Sequence, residues 1–80
     1  MNQPAEDELI LKAINGDRHA FDALVSTHYG MMYRLAFRWC GNKSDAEDIT
    51  QNAFIKTAEN LWRFRFESSL KTWLYRITLN

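Results

Sequence analysis

The sequence contains a single cysteine, Cys40, so no internal disulfide can form and the chain suits a reducing compartment. No apolar run approaches the roughly 18 residues a membrane-crossing helix needs, and no stretch has the form of a signal peptide. A cytoplasmic protein without membrane insertion is therefore expected. Formal charge is zero, with 10 basic and 10 acidic side chains, which argues against indiscriminate adhesion to nucleic acid. Repeats, low-complexity tracts and linkers are absent from the sequence. So are Gly-rich phosphate loops and nucleophile–base arrangements, so neither an enzyme nor a cofactor is expected. His19 with Asp22, or His28 with Met32 and Cys40, lack the Cys/His spacing of a zinc site, and no metal is expected. His28 lies in an apolar stripe, where a core histidine with a bonded ring nitrogen is the simpler reading. Cys40 reads as a small buried apolar group.

What is present is a globular composition, 46% apolar and 25% charged over 80 residues. A chain this short makes one domain, and its core must come from long, well-packed helices. Met1 to Pro4 reads as a frayed end. Glu6, Asp7 and Glu8 suit the positive end of a helix running to about Asn15, with Leu9, Ile10, Ala13 and Ile14 as its apolar side. Gly16 can end it in the left-handed conformation, and Asp17 caps the next helix, which runs to Cys40. There Phe21, Leu24, Val25, His28, Met32, Leu35, Ala36 and Trp39 follow one stripe, widened by Tyr29, Tyr33, Phe37 and Cys40. This second helix is expected to be covered on two sides and to act as the hub. Gly30 within it costs about 1 kcal/mol against Ala and suggests a close helix contact.

A short turn, Gly41-Asn42-Lys43, leads into the stretch Ser44 to Trp62, which no Gly or Pro interrupts. Ser44 and Glu47 have capping-box spacing, and a helix of about five turns follows. Ala46, Ile49, Ala53, Thr57 and Leu61 form an inward stripe. Asp48, Gln51, Asn52 and Ile55 form a second one at i, i+3, i+4 and i+7, pointing roughly the other way. Short amide and carboxylate groups around an aliphatic residue suit a docking surface; an ordinary solvated face is the bland alternative.

The last quarter reverses the local charge. Arg63, Arg65, Lys71 and Arg76 stand against Glu67 alone, whereas the preceding 20 residues carry Asp45, Glu47, Asp48 and Glu59 against Lys43 and Lys56. Neighbouring patches of opposite sign suggest two different partners. The alternation Arg63-Phe64-Arg65-Phe66 reads as a loop, because no partner strand is available. Ser68 or Ser69 caps a final helix, with Leu70, Trp73, Leu74 and Ile77 inward and Lys71, Thr72, Tyr75 and Arg76 outward. Cationic and aromatic side chains together suit a single nucleic-acid strand. Alternatively, Phe64 and Phe66 plug the end of the bundle while the basic residues are solvated. Trp73 has a stripe position that favours core packing over base stacking. The expected fold is all-α, a compact bundle of about four helices.

The motifs DAEDITQNAFIKTA and SLKTWLYRIT-LN, together with the entering G-D-x-x-A-F-x-x-L-V-x-x-H, resemble region 2 of the extracytoplasmic-function sigma factors of bacterial RNA polymerase. The likeness covers essentially residues 1–80. It implies an all-helical sigma region 2 domain that docks on the β′ clamp helices of core RNA polymerase, captures the promoter −10 element and helps melt it. By position, Asp48, Gln51, Asn52 and Ile55 fall where the family docks on the polymerase. The loop Phe64, Arg65, Phe66, Glu67, Ser68 and Ser69, entered through Arg63, falls where the family holds a base flipped from the non-template strand. Lys71, Trp73, Tyr75 and Arg76 lie in the helix associated with melting and −10 contacts. The resemblance also implies control by an anti-sigma factor, for which the Ile55 patch is a plausible landing place. Three positions depart from the family pattern: Asn52 stands for Glu, Leu70 for Phe, and Phe66 for the Gly usual after the Arg. The chain stops at Asn80, where the family continues into a helix-turn-helix domain for the −35 element, so it reads as a fragment. A helical adaptor that binds only protein is the runner-up.

Overall fold

The computed structural model describes residues 4–79; the frayed end expected at the N-terminus lies mostly outside the described residues. Four α-helices follow one another: α1 Pro4–Ile14, α2 Arg18–Cys40, α3 Lys43–Asn60 and α4 Leu70–Leu79. A single 3-10 turn, Leu61–Arg63, extends α3, and no strand occurs among the described residues. The expected all-α bundle of four helices is the observed architecture. Pro4 opens α1, a position where its missing N–H costs nothing.

Local chemistry sets most of the boundaries. Gly16 takes φ 95° after α1, and the Asp17 carboxylate accepts from the Ala20 N–H at 3.1 Å, as expected for the start of α2. Gly41 ends α2 at φ 78°, donating its N–H to the Phe37 carbonyl at 2.8 Å. The capping box expected at Ser44 and Glu47 is displaced by Asn42. Its extended backbone (φ −142°, ψ 153°) lets the side chain accept from the Asp45 N–H at 2.9 Å and donate to the Asp45 carboxylate at 2.8 Å. Two capping frames overlap in this turn, and the left-handed Gly41 selects the earlier one by delivering Asn42, not Ser44, in extended form.

The helix α2 packs on all three others and is the hub. Its buried row is Ala20, Leu24, His28, Met32 and Ala36, one residue in four. With 3.6 residues per turn, such a row winds slowly around the helix. It continues to half-buried Cys40 and bypasses Trp39, which is 75% exposed against the expectation of core packing. Phe37 is likewise exposed. Gly30 faces solvent, and a Cβ there would meet Arg34 of the same helix at 3.2 Å, so no close helix crossing depends on it. His28 is buried, and its Nε2 lies 2.8 Å from Glu6 Oε1 of α1, the bonded core histidine expected.

Small residues line the inner side of α3: Ala46, Thr50, Ala53 and Thr57, with Phe54 and then Leu61 beside them. The Thr50 and Thr57 hydroxyls donate to the Ala46 and Ala53 carbonyls at 2.7 and 2.8 Å, so neither is left unpaired. Ile49, expected inward, is only half-buried. Tyr29 of α2 stacks on Phe54 with centroids 5.9 Å apart, joining the two longest helices. Leu70 and Leu74 of α4 close the core against Ile10, Leu24, Met32 and Phe64.

Candidate functional site

Two surfaces stand apart from the core, on consecutive parts of the chain. The first is the outer side of α3. Asp48, Gln51, Asn52 and Ile55 are all exposed, and Ile55 shows 57% of its surface. The buried side of α3 consists of Ala46, Thr50, Ala53, Thr57 and the aromatic Phe54, with no aliphatic side chain larger than alanine. Ile55, facing away from that side, is an aliphatic group in an otherwise polar stripe.

The second surface is built by the segment between α3 and α4. Phe64 is 5% exposed and packs in the core, its ring edge-on to Phe66 at 4.8 Å and to Trp73 at 5.6 Å. Phe64 therefore supplies no open face for a base; it pins the loop to the bundle. In this respect the plug reading of the two phenylalanines describes Phe64. Phe66 is half-buried with φ 61°, a left-handed conformation that is rare for a bulky side chain and natural for glycine. It occupies the position where the family pattern has Gly. The turn sends the Phe66 ring inward and leaves its neighbours Arg65 and Glu67 exposed.

Around that turn lies a recess of about 380 Å³ lined by Arg63, Arg65, Glu67, Ser68, Trp73 and Arg76, with Phe64 at its back. Three guanidinium groups against one carboxylate make it electropositive. Trp73 is half-buried and forms a wall, consistent with its inward stripe position. Ser69 caps α4, its hydroxyl accepting from the Thr72 N–H at 3.1 Å. Ser68 is half-buried, and its hydroxyl donates to the Ser69 carbonyl at 3.3 Å. Lys71 is exposed and Tyr75 half-buried on α4, both outside the lining of the recess, as are Phe66 and Ser69. Sequence reading passed over Trp62, 63% exposed, with the Arg63 guanidinium 4.9 Å over its ring. The adjacent Trp-Arg pair was the available signal, hidden because Trp62 was counted as the end of a helix.

No described helix is long and apolar enough to cross a membrane. A family model for sigma-70 region 2 matches residues 24–80. The RNA polymerase sigma-H factor of Pseudomonas aeruginosa is 36% identical over 80 residues, covering 100% of this chain and 42% of that protein. The ECF RNA polymerase sigma factor SigW of Bacillus subtilis is 42% identical over 65 residues, 81% of this chain and 35% of its own. The ECF RNA polymerase sigma-E factor of Escherichia coli is 35% identical over 81 aligned positions, 100% of this chain and 42% of its own. The chain thus spans less than half the length of these relatives, which are named as RNA polymerase sigma factors and not as enzymes. An all-helical bundle, the DAED and TWLYRI motifs and a family match over most of its length agree: the chain belongs to the sigma-70 region 2 family, in its extracytoplasmic-function branch.

Proposed function

We propose that this domain docks on core RNA polymerase through α3 and captures the promoter −10 element at the loop between α3 and α4. Asp48, Gln51, Asn52 and Ile55 meet the clamp helices of the β′ subunit, the aliphatic Ile55 sitting among short polar groups that fix register. The recess receives a base turned out of the non-template strand, while Arg63, Arg65 and Arg76 answer backbone phosphates. Lys71 and Tyr75 extend the contact along α4, and Phe64, Phe66 and Trp73 hold the recess in shape from behind. The observation that carries this reading is the pairing of two exposed surfaces of different chemistry on consecutive elements: an uncharged-to-acidic face with an aliphatic centre, and a recess with three guanidinium groups.

The work done is binding. Separating the strands costs roughly 1–2 kcal/mol per base step in lost stacking. Holding one extruded base and neutralising phosphates beside it offsets part of that cost. Control by an anti-sigma factor fits the same picture, since a partner covering Ile55 blocks polymerase docking directly. The site of action is then the cytoplasm, where the polymerase works.

Fluorescence anisotropy with single-stranded −10-like oligonucleotides at two salt concentrations, with and without core polymerase, tests the strand half of the reading. Affinity should fall as salt rises. No binding, or binding indifferent to salt, in both settings favours a protein-only adaptor. Pull-down with Ile55→Glu tests the control: undiminished retention by the cognate inhibitor removes that patch from its footprint.

A further inference from the structure

Arg34 and Arg38 lie one turn apart on the outer side of α2, both exposed, and among the described residues neither has an ion pair or a hydrogen bond. Like charges at this spacing destabilise a helix. So does glycine inside one, and Gly30 stands one turn before Arg34. No close helix crossing requires that glycine; the space a Cβ would take is bordered by the Arg34 guanidinium, 3.2 Å away. Position 30 is also the place four residues earlier from which a glutamate would pair with Arg34, and glycine supplies no such partner. The helix gives up stability at two points, and the result is a pair of unpaired guanidinium groups.

Beside them runs a ladder of rings. Tyr29 stacks on buried Phe54 of α3, Tyr33 stacks on Tyr29 at 6.4 Å, and Phe37 follows Tyr33 at 6.1 Å, 42% exposed. Anchored at one end and open at the other, the ladder borders a recess of about 400 Å³ lined by Tyr33, Arg34, Phe37 and Arg38, with no acidic side chain in its lining. Tyr33 has a ring on either side and offers a base no face to stack on, which sets this surface apart from one built for a nucleic-acid strand. What it offers is an apolar floor with positive charge along one edge.

We propose that this face of α2 binds an acidic amphipathic helix of a protein partner. An aliphatic side chain of that helix enters the recess over Tyr33 and Phe37, and carboxylates one turn apart pair with Arg34 and Arg38. Charge identifies the occupant: two unpaired guanidinium groups at i and i+4 match carboxylates at the same spacing on a facing helix. The assignment goes beyond polymerase docking and strand capture and uses none of the residues given to either.

The test uses a labelled synthetic alanine-based helix with two leucines one turn apart and glutamates flanking them. Its affinity for the chain is measured by anisotropy, with and without core polymerase. Exchanging the peptide's glutamates for glutamine should weaken binding about three- to tenfold, as two exposed charge pairs predict, and Arg34→Ala with Arg38→Ala in the chain should do the same. Phe37→Ala should weaken it about fivefold or more. Gly30→Glu should place a carboxylate against Arg34, weakening the peptide by a similar factor to the arginine pair while raising Tm by about 4–8 °C, so lost binding there is not lost folding. Absence of binding to the wild-type chain overturns the proposal, as does equal affinity for the glutamine peptide or undiminished affinity in Gly30→Glu. Loss of the peptide when core polymerase binds also overturns it, assigning the face to polymerase docking. An oligo(dT) strand that loses as much affinity as the peptide in the Arg34→Ala, Arg38→Ala variant overturns it too, making the face a nucleic-acid surface.

Discussion

Replacing Phe66 isolates the backbone strain stored in the loop. The residue sits at φ 61° with its ring against Phe64. A left-handed residue with a Cβ costs roughly 1–2 kcal/mol, a cost glycine escapes. Phe66→Ala and Phe66→Gly both remove the same ring, and with it about 0.5–1.5 kcal/mol of aromatic pairing plus partial burial. The two variants then differ only in the backbone. Glycine gains relief of roughly 1–2 kcal/mol in the folded state and loses roughly 0.5–1 kcal/mol through its freer unfolded chain. The balance favours Phe66→Gly over Phe66→Ala by about 0.5–1 kcal/mol, the reverse of the usual order of the two residues. For a domain of this size that is a Tm higher by about 3–6 °C, measurable by thermal melts followed at the helical circular dichroism band. A Phe66→Gly variant that melts with or below Phe66→Ala would refute the strained turn. The placement of Arg65 and Glu67 around the recess would then lose its physical cause.

Other substitutions probe separate links. Asn42→Ala should cost about 0.5–2 kcal/mol in chemical denaturation, since Asn42 holds the Asp45 N–H, while Ser44→Ala should be nearly silent; the opposite ranking restores the capping box at Ser44. Glu6→Ala should destabilise by about 1–3 kcal/mol by leaving the buried His28 ring nitrogen unpaired, whereas Glu8→Ala, which loses only the exposed 3.5 Å pair with Lys12, should stay within about 0.5 kcal/mol. Asp48→Ala with Gln51→Ala should weaken binding to core polymerase in a pull-down. Arg65→Ala with Lys71→Ala should spare that binding and impair promoter opening read by permanganate reactivity. Loss of both properties in either pair would deny the division between the two surfaces.

How much of this was legible in the sequence depended on whether a signal was local. Gly16, Asp17 and Gly41 act within one turn of themselves, and the boundaries they set were read closely. The cap of α3 was misread because Asn42-x-x-Asp45 and Ser44-x-x-Glu47 are both good frames, and only the conformation of Gly41 separates them. Trp39 was placed inward by counting threes and fours equally, whereas the true buried row of α2 advances strictly by fours. Thr50 was passed over because the inward stripe was counted through its neighbour Ile49, although a bond to the carbonyl four residues back lets the Thr50 hydroxyl bury fully. The outer stripe of α3 was visible, since exposure of Asp48, Gln51, Asn52 and Ile55 follows from helical spacing alone. The recess was not. It depends on Phe66 adopting a glycine-like conformation, which the chain's own residues do not signal and which only the Gly of the family pattern at that position hints at.

The two surfaces are mechanically linked, as the proposed engagement of two partners by one short domain requires. The small inner side of α3 places that helix against α2, with Tyr29 stacked on Phe54 as the main aromatic bond between them. The 3-10 turn continues α3 directly, and Leu61 and Phe64, at its start and just past its end, are both buried. The loop therefore emerges from the same rigid body that carries Asp48 and Ile55, with its root fixed at Leu61 and Phe64 and its far end fixed by Ser69 capping α4. A partner gripping the outer side of α3 thus fixes the position of the arginine recess without touching it. On this argument, Phe64→Ala, which removes the root but leaves every exposed group in place, should leave polymerase binding nearly intact while weakening strand capture. It opens a core cavity at a cost of about 3–5 kcal/mol, so the comparison is made at a temperature where circular dichroism shows the variant folded. Equal loss of both activities in the folded variant would mean that the loop and α3 are not held as one body through Phe64.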